Sequence, residues 1–211
     1  MPVALPDLTV FLSAALLLNL TPGNDMMFVL GQSLKGGHGR GIAASFGIAT
    51  GSLIHLSLVA LGVAVLLREN PVVFEAIRWL GVAYLLWIAW KTLHTAGPAQ
   101  SNVDVNGSNW RAWRDGTLVN LLNPKVIVFM FAFLPPFVRP DNGMHGMPLL
   151  QLLILGTLFN VGGTVVNVMV ALLSGGIGRR LATSARVARG FAYASSAVFV
   201  ALALRLALDR K

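Results

Sequence analysis

Asn19-Leu20-Thr21-Pro22-Gly23-Asn24-Asp25 interrupts an apolar block that otherwise runs from about Leu8 to Leu34, and its reading decides the fold. A second stretch, Asn120-Leu121-Leu122-Asn123-Pro124-Lys125, interrupts a block at about 116–138 in the same way. Each places an N-cap residue type, Thr21 or Asn123, directly before a proline. A cap side chain accepts from the free N–H groups of a helix start, and proline needs no donor in the first turn. Each stretch also sets an ionisable side chain just beyond its proline, Asp25 in one and Lys125 in the other. Helix starts in the middle of apolar blocks predict two helices broken or kinked at proline. A plain proline kink, which membrane helices tolerate, is the simpler alternative.

The surroundings of these stretches set the fold class. The chain has 211 residues, of which 55% are hydrophobic and 11% charged, where a soluble domain carries about 25% charged residues. Mean hydropathy is +0.72. The expectation is an all-α, polytopic membrane protein, a single transmembrane domain over residues 1–211. A span needs about 20 mostly apolar residues. Blocks at 8–34, 42–67, 72–93, 116–138, 148–173 and 190–208 predict six transmembrane helices. The first block lacks a basic leader and a small-residue cleavage site, so it reads as a retained span. Absence of cysteine excludes disulfides and thiolate metal sites.

The net charge is +8 and the pI about 11.1, which in a soluble protein would point to nucleic acid. Here the positions of the charges carry the meaning, and no nucleic-acid partner is expected. Loops after the first, third and fifth spans hold nine basic residues: Lys35, Arg40, Lys91, Arg111, Arg114, Arg179, Arg180, Arg186 and Arg189. The other side holds six: Arg68, Arg78, Arg139, Arg205, Arg210 and Lys211. The positive-inside bias then puts both termini outside. The run from Arg179 to Arg189 reads as a topology determinant beside anionic lipid.

A linker at about 94–114, rich in Gly, Ser, Asn and Asp, reads as a flexible loop and divides the chain into repeat 1 (about 5–93) and repeat 2 (about 115–209). Three spans is an odd number, so the second half enters the membrane with the opposite orientation. The two proline stretches, at corresponding places in the halves, predict a 3+3 inverted repeat, an architecture common among secondary transporters.

An ionisable group at mid-membrane costs roughly 2.5–3.5 kcal/mol on insertion scales and is a functional hypothesis by default. Asp25 and Lys125 are the two best cases. A helix break exposes free N–H groups and the positive end of a helix dipole. Adding Lys125 there makes a place for a carboxylate, while Asp25 suits an ammonium group or a transferable proton. One fixed cation, one fixed anion and backbone donors match a zwitterion, which is the chemistry of an amino acid. Mutual neutralisation as a structural pair is the other reading, and the two can coexist. His55 shares a helix face with Gly47 and Gly51, either continuing a packed face or relaying protons. Gly156, Asn160, Thr164 and Asn167 form a polar stripe on the fifth span, as interhelical glue or pathway lining. Trp79, Tyr84, Trp87 and Trp90 read as an interfacial belt with packing. No phosphate-binding loop and no HExxH motif are present.

Thr21-Pro22-Gly23 with the following acid, the glycine-rich run from Gly41-Ile42 to Gly51, Trp79-Leu80-Gly81 with Ala83-Tyr84-Leu85, and Leu121-Leu122-Asn123-Pro124-Lys125 together resemble the LysE/RhtB family of amino-acid exporters. The resemblance covers nearly the whole chain, and its most specific parts are the two proline motifs. It implies a bacterial inner-membrane exporter of an amino acid or close derivative, neutral or basic, driven by proton exchange and needing no cofactor or metal. Carried over residue by residue, it puts Pro22, Gly23, Asp25, Asn123, Pro124 and Lys125 in a central site, to which the reading above adds Thr21, His55, Asn160 and Asn167. The family motif commonly has a second proline where this chain has Asn24, whose side chain could itself bond substrate.

The expected function is secondary export of amino acids, with protons, the substrate and the lipid bilayer as partners; a homodimer is left open. A small-cation or metal exporter is disfavoured because Asp25 and His55 are the plausible intramembrane ligands and hard cations want several oxygens. A non-transporting membrane accessory subunit would tolerate loss of both charges. No catalytic constellation supports an enzyme.

Overall fold

The computed structural model describes residues 5–69, 71–94, 107–138, 148–175 and 184–208. Their regular structure is all helical: α1 Leu5–Leu20, α2 Asn24–Glu69, α3 Pro71–His94, α4 Asn109–Leu121, α5 Pro124–Val128, α6 Pro148–Leu172 and α7 Ala185–Leu208. α5 continues as a π turn over Phe129–Phe133, where Leu134 N donates to Phe129 O, and a 3-10 turn over Pro135–Phe137 follows. The consecutive prolines 135 and 136 bring no N–H of their own, which is why regular α geometry ends there.

α2 is 46 residues long but is not one rod. Gly37 has φ +79° and ψ 171°, a backbone conformation glycine adopts at no steric cost. Ser33 lies against Gly41, and Arg40 Nη2 donates to Gln32 Oε1 at 2.7 Å. On a continuous helix, residues eight apart would be separated by about 12 Å of rise, so the chain reverses at Gly37. The two arms are α2a (24–36) and α2b (38–69). The loop read at 35–41 therefore shrinks to one residue. Arg40, counted above as a loop charge, is buried against Gly36 and bonded across the hairpin, so it cannot serve in an orientation count.

α4 starts at Asn109, inside the stretch read as linker, because Ser108 caps it by accepting from Arg111 N at 3.3 Å. The rest of that linker (95–106) lies outside the described residues, as do Arg139, Arg179, Arg180, Arg210 and Lys211.

Polarity is distributed inside out. Gln32, Ser33, Ser45, Ser52, Asn120, Asn123, Gln151 and Ser174 are buried, whereas Leu61, Leu80, Leu122 and Leu173 stand well exposed. Trp79, Trp87 and Trp90 also face outward. So much outward apolar surface is foreign to a monomer solvated by water. Among the described residues Asn24–Gly62 and Pro148–Leu172 are each apolar and long enough to cross a membrane, although the first is folded back at Gly37.

Glycines set the helix contacts that position the site. Gly47 of α2b packs on the Trp113 carbonyl of α4, and Gly116 of α4 packs in return on the Ala44 carbonyl of α2b. One turn on, Gly51 leaves room for Asn120. His55 continues that face, its Nε2 lying 3.4 Å from Asn120 O. On the other side of the bundle Asn19 of α1 donates to Phe159 O of α6 at 3.2 Å, and Gly163 makes room for it. α3 and α7 pair through Ser196 Oγ, which donates to Ala89 O at 2.8 Å. A large core cluster includes the aromatic group Phe11, Phe129, Phe133, Phe137 and Phe159; a small one holds Val29, Ala44, Ile48, Ala112 and Ala171.

Candidate functional site

The chain leaves helical geometry at Thr21-Pro22-Gly23 and again at Leu122-Asn123, and the two interruptions meet. α2a begins at Asn24, with Met27 N donating to Gly23 O at 3.0 Å, so Gly23 holds the cap position. Thr21 does not cap α2a. Its hydroxyl donates backward to Leu17 O at 2.6 Å, into α1. The physical reason is that the helix starts two residues later than a Thr21 cap requires. Asn123 does act as a cap: its Oδ1 accepts from Lys125 N at 3.1 Å, with Pro124 in the first turn.

Lys125 reaches from the second interruption to the first. Its Nζ donates to Leu18 O at 3.0 Å and Thr21 O at 3.1 Å, carbonyls at the C-terminal end of α1. A helix end leaves its last four carbonyls without intrahelical donors and carries partial negative charge, so a cation belongs there. Gly23 permits the approach, since a Cβ at that position would lie 3.3 Å from Lys125 Nζ. Asp25 is held from the opposite direction. Asn120 Nδ2 donates to Asp25 Oδ2 at 2.9 Å, and the Asn123 side-chain amide lies beside the same carboxylate. The two charges form no ion pair with each other; each is held by other groups, within the other's field.

Asn120 is the residue that sequence reasoning missed. Besides holding Asp25, its Oδ1 accepts from Ser52 Oγ at 3.3 Å and its backbone carbonyl faces His55 Nε2. His55 therefore touches the backbone of the residue whose side chain holds the carboxylate, and a donor role for Nε2 leaves Nδ1 as a buried nitrogen without a partner. Asn120 appears in the sequence as one letter of the mirrored motif, and so does Asn19. An asparagine about one turn before a break, in both halves, was the available signal.

Thr21, Asp25, Lys125, Asn160 and Asn167 line one cavity of about 30 Å³, together with Phe159 of the large core cluster and Ile48 of the small one. Thr164, Asn19 and Ser52 complete its polar wall. That volume accommodates one or two waters, far less than an amino acid, so the conformation is a closed one. Asn160 combines both roles expected of the fifth-span stripe, lining the cavity and donating to Ala49 O at 3.3 Å. Gly156, by contrast, packs on Leu56. Pro22, Asn24 and Pro124 are exposed and do not line the cavity; Asn24 is thus not placed to bond a ligand there.

Comparison with known proteins is consistent with this architecture. The LysE type translocator family matches residues 16–210. A homoserine/homoserine lactone efflux protein of Salmonella typhi is 35% identical over 173 residues, 78% of each chain. A leucine efflux protein of Klebsiella pneumoniae is 32% identical over 140 residues, 65% of this chain and 66% of its own. Another leucine efflux protein, from Enterobacter sp. (strain 638), is 27% identical over 93% of both chains. No solved structure matches. A family match over nearly the whole sequence, with an outward apolar surface and charges enclosed at two helix breaks, makes this chain a membrane protein of the LysE type translocator family.

Proposed function

We propose that this protein exports amino acids across the bacterial inner membrane in exchange for protons. The observation that carries the reading is the enclosure of Asp25 and Lys125 in one cavity without an ion pair between them. Two unmated charges of opposite sign are complementary to a zwitterion, and at membrane depth their cost needs a function to retain them. Relatives named for homoserine/homoserine lactone and leucine efflux support, as the substrate class, an amino acid or close derivative with a short polar or aliphatic side chain. Asp25, whose carboxylate lines the cavity with His55 beyond Asn120, is the group that carries the proton.

The same reading includes six spans in a 3+3 inverted repeat, with the first and fourth spans broken at Pro22 and Pro124. Three crossed contacts support it. α2b, the second span, makes room at Gly51 for Asn120 of the fourth; α6, the fifth span, makes room at Gly163 for Asn19 of the first; α3 and α7 pair with each other. Those are the equivalences a two-fold axis in the membrane plane demands. Both termini outside remains the orientation favoured by the sequence count of basic residues between the apolar blocks, eight to six with Arg40 removed.

Counterflow in proteoliposomes tests the proposal. Vesicles preloaded with unlabelled L-leucine or L-homoserine should accumulate the labelled amino acid, and Asp25→Asn should abolish accumulation driven by a pH gradient. Absence of counterflow for L-homoserine and for every proteinogenic amino acid, with or without the gradient, would end this reading.

A further inference from the structure

Lys125 is held by the chemistry of a cation site. Its ammonium donates to two carbonyls at the negative end of α1, with the Asp25 carboxylate in the same cavity and Gly23 leaving the space for Nζ. The α-ammonium of an amino acid offers the same group: three N–H donors and one positive charge. Leu18 O already accepts from Thr21 N at 3.2 Å, and two ammonium groups on the same pair of carbonyls would set like charges side by side. In the alternative role Lys125 waits in the cavity to receive a carboxylate, but two of its three N–H donors are spent on α1, which leaves one for a ligand in this conformation.

We propose that Lys125 is a tethered stand-in for the substrate's ammonium group, seated on Leu18 O and Thr21 O in the closed conformation and displaced from them when an amino acid enters. This rests on the amino-acid reading above and specifies its order of events. The incoming ammonium takes the α1 carbonyls beside Asp25. Lys125, released, becomes the cavity's mobile cation and pairs with the substrate carboxylate. One lysine thus fills the site in one conformation and recognises the ligand in the next. The cavity's small volume follows, because the tether occupies the place of the ligand's charged head. So does the missing Asp25–Lys125 ion pair, because the lysine's partner in this conformation is the helix end.

The two roles separate by ligand chemistry. L-Leucine carries both charged groups, and L-leucine methyl ester keeps the ammonium but lacks the carboxylate. In the wild-type protein the ester displaces Lys125 and gives it nothing in return, so it binds weakly. Replacing the lysine removes the competitor. Lys125→Met should bind the ester at least fivefold more tightly than wild type and leucine at least fivefold more weakly, by displacement of labelled leucine from the full-length protein in detergent. Lys125→Gln, whose amide still donates to the α1 carbonyls, keeps the cap and should shift the ester the same way by about threefold. Ester affinity unchanged or lowered in the variants would overturn the stand-in, even with leucine counterflow by the wild type intact. Absence of counterflow for every amino acid in the wild type would instead overturn the amino-acid reading, and the stand-in with it.

Discussion

The interruptions at 19–25 and 120–125 are written with nearly the same letters and built with opposite hydrogen-bond polarity. Each ends one helix and starts the next, but at the first the polar side chain bonds the helix that ends: Thr21 donates its hydroxyl back to Leu17 O, and the end of α1 takes a further donor from Lys125. At the second it bonds the helix that starts: Asn123 accepts from Lys125 N, and Pro124 occupies the first turn. The first therefore supplies acceptors and an acid, while the second supplies a cap and a base. Each is completed by the other, through Lys125 onto α1 and Asn120 onto Asp25. Similar motifs in two halves need not make two copies of one site; here they make the two poles of a single site.

The strongest test of that polarity is to exchange the charges. Asp25→Lys with Lys125→Asp conserves net charge and would preserve a simple structural pair. In this geometry an aspartate at 125 faces the carbonyls of Leu18 and Thr21, acceptor against acceptor. Leaving a buried charge without its partner costs about 3–5 kcal/mol, equivalent to about a hundredfold or more in an equilibrium. Leucine counterflow by the double variant should fall below detection while each pole stays in the wrong half. Wild-type transport by the exchanged protein would show that the interruptions are interchangeable.

Next in size is the contrast between the two asparagines. Asn120 donates to a carboxylate, and hydrogen bonds to charged groups contribute about 1.5–3 kcal/mol. Asn19 donates to the backbone carbonyl of Phe159, a neutral bond worth about 1 kcal/mol. Asn120→Ala should therefore cut proton-coupled leucine transport about tenfold or more, with Asn19→Ala reducing thermal stability but leaving the rate within about twofold. Equal effects on transport would mean that the two halves contribute equivalently to coupling.

Much of this was open to a linear reading, and the parts that were not share a cause. The apolar blocks, the proline interruptions and the isolated charges are local features, and they located α1, α3, α6 and the meeting residues Asp25 and Lys125 to within a few positions. Arg40 and Asn120 were not legible because their partners are set by the tertiary fold. Arg40 sits in a glycine-rich polar run that reads as a loop, and its burial depends on one positive φ at Gly37. Asn120 finds Asp25 across 95 positions of sequence. Thr21 illustrates the finer limit: its residue type permits a cap on either side, and the start of α2a at Asn24 decides the direction.

The glycines beside the asparagines give a smaller contrast. A Cβ on Gly51 would stand 2.8 Å from Asn120 Oδ1 and 2.9 Å from Thr117 O, a backbone atom that cannot move alone. A Cβ on Gly163 would meet Asn19 side-chain atoms, the nearest at 3.0 Å. Overpacking costs about 1–3 kcal/mol where neighbours are fixed. Gly51→Ala should lower the unfolding midpoint in detergent clearly and weaken transport through displaced Asn120. Gly163→Ala should do less than half as much to stability. The reverse order would place the rigid contact on the α1–α6 side.

The smallest effect bears most directly on hydrogen-bond direction. Removing an N-cap side chain costs about 1 kcal/mol, so Asn123→Ala should lower thermal stability by a few degrees and free the Lys125 amide. Thr21→Val removes a hydroxyl that bonds the carbonyl four residues back. Such back-bonding slightly destabilises helices rather than holding them, and Leu17 O keeps Thr21 N as a donor at 3.0 Å. Its loss should shift the midpoint by less than half the Asn123→Ala shift. If the threonine variant were the more damaged of the two, the first interruption would be organised by its hydroxyl as the second is by its amide. The two breaks would then be alike in construction, and the opposite polarity argued from Leu17 O and Lys125 N would fail.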